Sequence, residues 1–295
     1  MRVALFAAGG EIPVEALRAL VAVATVVAVV RPDPPRGIGG ELRGLARRAL
    51  RRPRPPDGLS VLATEYGIPE WPMRGADDAR SAARLRASAI DLGVLATFPW
   101  PLPPALLEAP RLGCVNMHPS ILPRHRGPNP WFWTYHANDA HAGVTIHVCE
   151  SRVDRGPILA QARWPLARGH PVASLHREVA VLGAALLPAL LARAESMVTD
   201  AALQDESGAT LAPRVRAGVT MLDPAWPAER TWHFLAGLLG QHREPLWCDG
   251  RAVGYTRVPE FELVDPRAAP GRMEAVANLG WRLWCHDGFV RLAED

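Results

Sequence analysis

Residues 1–32 read M-R-V-A-L-F-A-A-G-G-E-I-P-V-E-A-L-R-A-L-V-A-V-A-T-V-V-A-V-V-R-P. Val3–Ala7 has the pattern of a short apolar strand, and Pro13–Leu20 that of a helix. Thr25–Val30 is a β-branched run stopped by Arg31-Pro32, which predicts a second strand. The alternation continues downstream. Ala79–Ser88 predicts an arginine-rich helix, Leu92–Ala96 a strand, Pro104–Glu108 a short helix, and Gly113–Met117 and Gly143–Val148 two more strands. A β-α-β order of this kind demands a mainly parallel sheet covered by helices, with ligands beyond the carboxyl ends of its strands.

A long helix is predicted from Ser174, its N-cap, with Leu175, Val179, Leu182 and Leu186 at helical spacing. Asp205–Pro213 is polar and contains Gly and Pro, as a linker would. Beyond it the texture changes to one helix, Ala228–Leu239, and two strand pairs around Asp249-Gly250 and Asp287-Gly288. The expected fold is therefore α/β. A Rossmann-like, mainly parallel sheet occupies residues 1–204, a linker 205–213, and a smaller β-barrel-like domain of OB type 214–295.

The composition narrows the function classes. The 295 residues hold 33 basic side chains, all arginine, against 30 acidic ones, and 48% are hydrophobic, enough for a sizeable core. The longest uncharged apolar runs, Ala19–Val30 and Val179–Ala192, are shorter than the ~20 residues of a membrane span. The apolar stretch before Glu11 is too short for a signal peptide. Cys114, Cys149, Cys248 and Cys285 are scattered, which points to free thiols in a reduced, cytoplasmic protein. Charge is uneven: Arg31–Pro56 carries eight arginines against Asp33 and Glu41, whereas residues 214–295 carry 10 Arg against 11 Asp or Glu. The basic segment reads either as a solvated loop or as a phosphate-contacting surface for RNA or a nucleotide.

The chemistry concentrates in two clusters. In N-M-H-P-S-I-L-P-R-H-R-G, Asn116–Gly127, Asn116 and His118 stand two apart at the end of a strand and share a face. An amide donor beside an imidazole suits a carbonyl reaction, one donating to a developing oxyanion and the other transferring a proton. In G-V-T-I-H-V-C-E-S-R-V-D-R-G-P-I-L, Gly143–Leu159, a strand runs into a turn holding Asp154. Asp154 would favour the imidazolium of His118 if brought beside it, or would simply organise its turn with Gly156. His118, His125, His136, His141 and His147 match no compact zinc pattern, so no metal is expected. Gly9-Gly10 is not a dinucleotide fingerprint and no nucleophile elbow occurs.

Together the two clusters resemble the folate-dependent formyltransferases. That family's signature appears as Asn116-Met117-His118-Pro119-Ser120-Ile121-Leu122-Pro123, Arg126-Gly127, Gly143-Val144-Thr145 and Asp154-Arg155-Gly156. The resemblance implies transfer of a formyl group from 10-formyltetrahydrofolate to an amine. It implies that Asn116 steadies the carbonyl, His118 serves the oxyanion, and Asp154 tunes His118 and relays the amine proton. It further implies that Ser120, Ile121, Leu122 and Pro123 contact the folate, with the pterin between Phe98, Trp100, Leu102 and Val153.

The acceptor side departs from the pattern of the tRNA-acting members. After Arg126-Gly127 comes P-N-P-W-F-W-T-Y, closer to members that formylate amino sugars or other small amines. Arg126, Trp131, Trp133 and Tyr135 are therefore expected to bind the acceptor, unless the aromatics form a core helix. Three readings follow: a small-amine N-formyltransferase, a tRNA formyltransferase using Arg31–Pro56, or a non-catalytic folate- or RNA-binding relative.

Overall fold

The structure, a computed structural model, describes residues 1–33, 56–74, 79–197, 199–216, 218–277 and 279–294. Most of the arginine-rich Arg31–Pro56 segment thus lies outside the described residues. The chain divides into two compact units. One comprises Met1–Pro123, Val144–Ala162 and Arg177–Ala209, the other Arg124–Gly143, Arg163–His176 and Thr210–Asp295.

The alternation in the first half builds β1 (Arg2–Ala7), α1 (Glu11–Val23), β2 (Thr25–Asp33), α2 (Gly58–Glu65), β3 (Glu70–Arg74), α3 (Ala79–Ala87), β4 (Leu92–Ala96), α4 (Pro104–Leu107) and β5 (Cys114–His118). After α5 (Pro130–His136) come β6 (His141–Val148), β7 (Ile158–Pro165) and α6 (Val172–Ala192). The seven strands form one sheet in the order β3-β2-β1-β4-β5-β6-β7. The first five are parallel, while β6 runs antiparallel to β5. β1 and β4 lie in the sheet interior and are buried almost throughout, which explains their unbroken apolar runs. Phe6, Val30, Met73, Leu85, Leu95 and Leu106 belong to the core on one side.

On α6, a Cβ at Gly183 would stand 2.8 Å from Met117 Sδ and 3.0 Å from Val144 Cγ2, so glycine lets this helix approach the sheet closely. By length and composition α6 alone among the described residues would suffice to cross a membrane, but Val179, Leu187 and Leu190 are buried in the fold. The helix starts at Val172, and the Ser174 N–H already bonds to the Pro171 carbonyl. Ser174 is thus inside the first turn rather than its cap, because Pro171, with φ fixed near the helical value, sets the start.

The second unit contains α7 (Ala228–Leu238), the hairpin β8 (Leu246–Cys248) and β9 (Arg251–Val253), and β10 (Phe261–Leu263), β11 (Met273–Val276), β12 (Gly280–Cys285) and β13 (Gly288–Leu292). The last four pair in the order β10-β13-β12-β11, antiparallel throughout, as a small barrel-like domain requires. Asp249 and Gly250 sit at φ +48° and +75° between the paired Cys248 and Arg251, which makes a two-residue hairpin turn. At the other Asp-Gly the turn lies one residue earlier. Cys285 pairs with Gly288, leaving His286-Asp287 as the turn. Asp287 Oδ1 instead accepts the Ala228 N–H at 2.8 Å, at the N-terminus of α7. Gly288 is required by β10, since a Cβ there would lie 1.9 Å from the Glu262 carbonyl.

Candidate active site

The site begins with the register of one strand pair. Asn116 of β5 faces His147 of β6, and His118 faces Thr145. Alternation then puts all four side chains on the same face of the sheet, near the carboxyl end of β5. Close to the order reversal between β1 and β4, Thr97 Oγ1 donates to the Gly9 carbonyl at 3.3 Å and ties the ends of those two strands together.

Asp154 completes the cluster from the turn after β6. Its Oδ2 lies 3.6 Å from His118 Nδ1, and its Oδ1 lies 3.4 Å from Asn116 Nδ2 and 3.5 Å from His147 Nε2. His118, His147 and Asp154 are all buried. The turn that delivers Asp154 is over-determined. Asp154 has a left-handed φ of +55°, and a Cβ at Gly156 would stand 1.9 Å from the Val148 carbonyl. Gln204 Nε2 donates to the carbonyls of both Asp154 and Gly156, at 3.0 and 2.7 Å.

Thr145 joins this cluster to the following loop. Its Oγ1 donates to the Ser120 carbonyl at 2.7 Å and accepts the Leu122 N–H at 3.1 Å and the Gln161 amide at 2.8 Å. Ser120 and Leu122 are consequently buried, with Ile121 and Pro123 half-buried beside them. Phe98 meets Phe6 and Trp100 edge-on, at centroid distances of 5.8 and 5.4 Å, and Leu102 lies within the core. Val153 is exposed. Trp100 Nε1 is a buried donor with no partner among the described residues. A half-buried aromatic with an orphaned donor fits a heteroaromatic ring system such as a pterin.

Asn116, His118 and Asp154 are brought together as the sequence pattern anticipates. The proposed acceptor residues lie in the second unit. Arg126 is buried there, Trp133 Nε1 donates to the Pro213 carbonyl at 2.9 Å, and Trp131 lies against His176 with ring centroids 3.9 Å apart and planes tilted by 55°. Trp131 and Trp133 stay half-buried, whereas Tyr135 is enclosed, its hydroxyl donating to the His170 carbonyl at 2.5 Å. Sequence reasoning weighed His147 only as a metal ligand, took Thr145 only as part of a motif without a role, and passed over Gln161 and Gln204. Period-two alternation from Thr145 was the signal for His147; nothing local marks Gln204.

Burial, with Cys114 and Asp154 nearby, holds Cys149 well above the usual thiol range, and burial pushes Cys114 up to about 12. No group of three metal-ligating side chains occurs among the described residues.

A family model described as formyl transferase matches residues 15–191, more than half of the chain. The chain belongs to the formyltransferase family. Over 274 residues it is 35% identical to a methionyl-tRNA formyltransferase of Nitrosococcus oceani, covering 90% of this chain and 78% of that protein. Over 296 residues it is 33% identical to a methionyl-tRNA formyltransferase of Paracoccus denitrificans, covering 100% and 92%. Its fold matches that of an N-formyltransferase from Helicobacter canadensis solved with folinic acid and dTDP-3-aminofucose. There the TM-score is 0.67 at 14% identity, covering 99% of this chain and 98% of the other. This formyltransferase is a folate-dependent N-formyltransferase, and its one-carbon donor is 10-formyltetrahydrofolate.

Proposed function

We propose that Asn116, His118 and Asp154 carry formyl transfer and that the acceptor is the primary amine of a small molecule, such as an amino sugar. The meeting of the three side chains around one buried carboxylate is the observation that supports the catalytic part. Bound 10-formyltetrahydrofolate supplies an activated formyl group. Asn116 presents an amide N–H to the formyl oxygen as negative charge builds on it, and His118 supplies a proton to the same oxygen or hydrogen-bonds it. Asp154 favours the imidazolium of His118 and takes the proton that the attacking amine loses. As the tetrahedral intermediate collapses, the bond from the formyl carbon to N10 of the folate breaks and that proton passes to N10, releasing tetrahydrofolate and the N-formylated amine. The buried Thr145 hydroxyl fixes the Ser120–Pro123 backbone against which the folate lies, with Phe98, Trp100, Leu102 and Val153 around the pterin.

For the acceptor, the absence of excess positive charge in residues 214–295 weighs most. Several of the arginines there are neutralised locally, Arg291 by Glu260 at 2.6 Å and Arg282 by Glu274 at 3.9 Å. A domain gripping tRNA needs uncompensated cations. Arg126, Trp131 and Trp133 then belong to the acceptor side, the half-buried indoles contacting the ligand, whereas Tyr135, fully buried on its helix, is a core residue and not the acceptor contact expected from the sequence. Residues 1–204 form the catalytic domain and 214–295 a β-rich domain, and four free thiols suit a cytoplasmic setting. A second reading, methionyl-tRNA as acceptor through Arg31–Pro56, draws on the names of the relatives. Measuring transfer to amino-sugar nucleotides and to charged initiator tRNA across a salt series separates the two. The first reading predicts transfer to the sugar amine with little salt dependence. Product only on tRNA, falling steeply with salt, would reject it.

A further inference from the structure

We infer that His147 is a positioning residue that fixes which way the Asn116 amide points throughout turnover. The inference rests on the formyl-transfer reading. His147 Nδ1 lies 2.8 Å from the Val148 carbonyl oxygen, which can only accept, so Nδ1 carries the proton. In the neutral ring Nε2 is then a bare acceptor, and it lies 3.2 Å from the Asn116 side chain directly across the strand pair. Only the amide NH2 is tolerated opposite it. One amide hydrogen is thereby committed to His147; the other faces Asp154 Oδ1 across a long 3.4 Å contact that the reacting oxygen can replace, with Asn116 Oδ1 turned away.

Asp154 Oδ1, 3.4 Å from the same nitrogen, favours the same orientation while it is ionised. That preference weakens once Asp154 takes up the amine proton, because a carboxylic acid can also donate. The acceptor on His147 does not change at that moment. Asn116 therefore stays aligned when the transition-state charge is largest, which is when a donor contributes to rate.

The test combines kinetics and NMR on the full-length protein. His147→Leu removes the acceptor with similar bulk. It should lower kcat on the order of ten- to a hundredfold, with KM for 10-formyltetrahydrofolate nearly unchanged. His147→Gln, which can place Oε1 near the position of Nε2, should recover most of that loss. In 15N-histidine-labelled wild type, His147 should show a protonated Nδ1 and an unprotonated Nε2. Wild-type kcat in His147→Leu, no recovery in His147→Gln, or a proton on Nε2 of neutral His147 would each overturn the inference. If wild type formylates no amine, the transfer reading fails instead, and the tautomer measurement still decides the hydrogen bond.

Discussion

His118 and Asp154 face each other at 3.6 Å with almost no solvent access, the geometry on which the proposed proton transfer rests. On that proposal, substituting either should remove proton transfer without opening the core. His118→Ala and Asp154→Asn should each lower kcat by about a hundredfold or more while leaving the melting temperature and folate binding close to wild type. Steady-state kinetics beside a thermal melt checks this, and wild-type turnover in either variant would contradict the roles given to them. Asn116 and His118 were legible because two residues apart on a strand means one face, and Asp154 because the turn motif names it. His147 was hidden for a physical reason. Alternation from Thr145 gives the face of its side chain, but its partner Asn116 is fixed only by the β5–β6 register, a long-range pairing.

At the scale of elements, the turn from Val148 to Gly156 is the part of the site least tolerant of change. Gly156→Ala places a methyl against the Val148 carbonyl and must push the turn outward, carrying Asp154 with it. The expected result is a stability loss of roughly 1–3 kcal/mol and a large fall in kcat, read by urea unfolding and turnover. An unchanged kcat would show that Asp154 is not held by this turn. Most strands and helices of the first half were legible because buried parallel strands are uninterrupted apolar runs; α2 and the edge strand β3, whose E-W-P-M-R is no such run, were not. Leu92–Ala96 was delimited correctly from that alone. The start of α6 and the role of Asp287 were not. Pro171 competes with Ser174 for the helix start, and the turn is His286-Asp287, Asp287 also accepting a helix N-terminal N–H while Gly288 opens the following strand at a close strand contact.

For the molecule as a whole, charge is distributed unevenly, and its net of +3 conceals that. The +6 stretch falls largely in residues 34–55, outside the described residues. Acid stability, by contrast, has an identifiable source. Burial, together with the positive charges of Arg168 and His170, holds His233 down to about 4. Its Nδ1 accepts the Gly169 N–H at 2.9 Å, which requires the neutral ring. Unfolded, the imidazole binds its proton near pH 6.5. The stability contributed by neutral burial is therefore complete above pH 6.5 and is lost as pH falls toward 4, by up to about 3 kcal/mol. His233→Asn keeps an acceptor for Gly169 and removes the titration, so its urea-unfolding stability should fall less steeply between pH 6.5 and 4. Equal slopes would assign the acid sensitivity elsewhere.

The account rests on a reaction at Asn116, His118 and Asp154, and one measurement addresses it most directly. Wild type and His118→Ala are incubated side by side with 10-formyltetrahydrofolate and a panel of primary amines, amino-sugar nucleotides and charged initiator tRNA included, and the acceptors are weighed by mass spectrometry. A mass gain of one formyl group with wild type, absent with His118→Ala, is predicted. A formylated product formed equally by both would contradict the site.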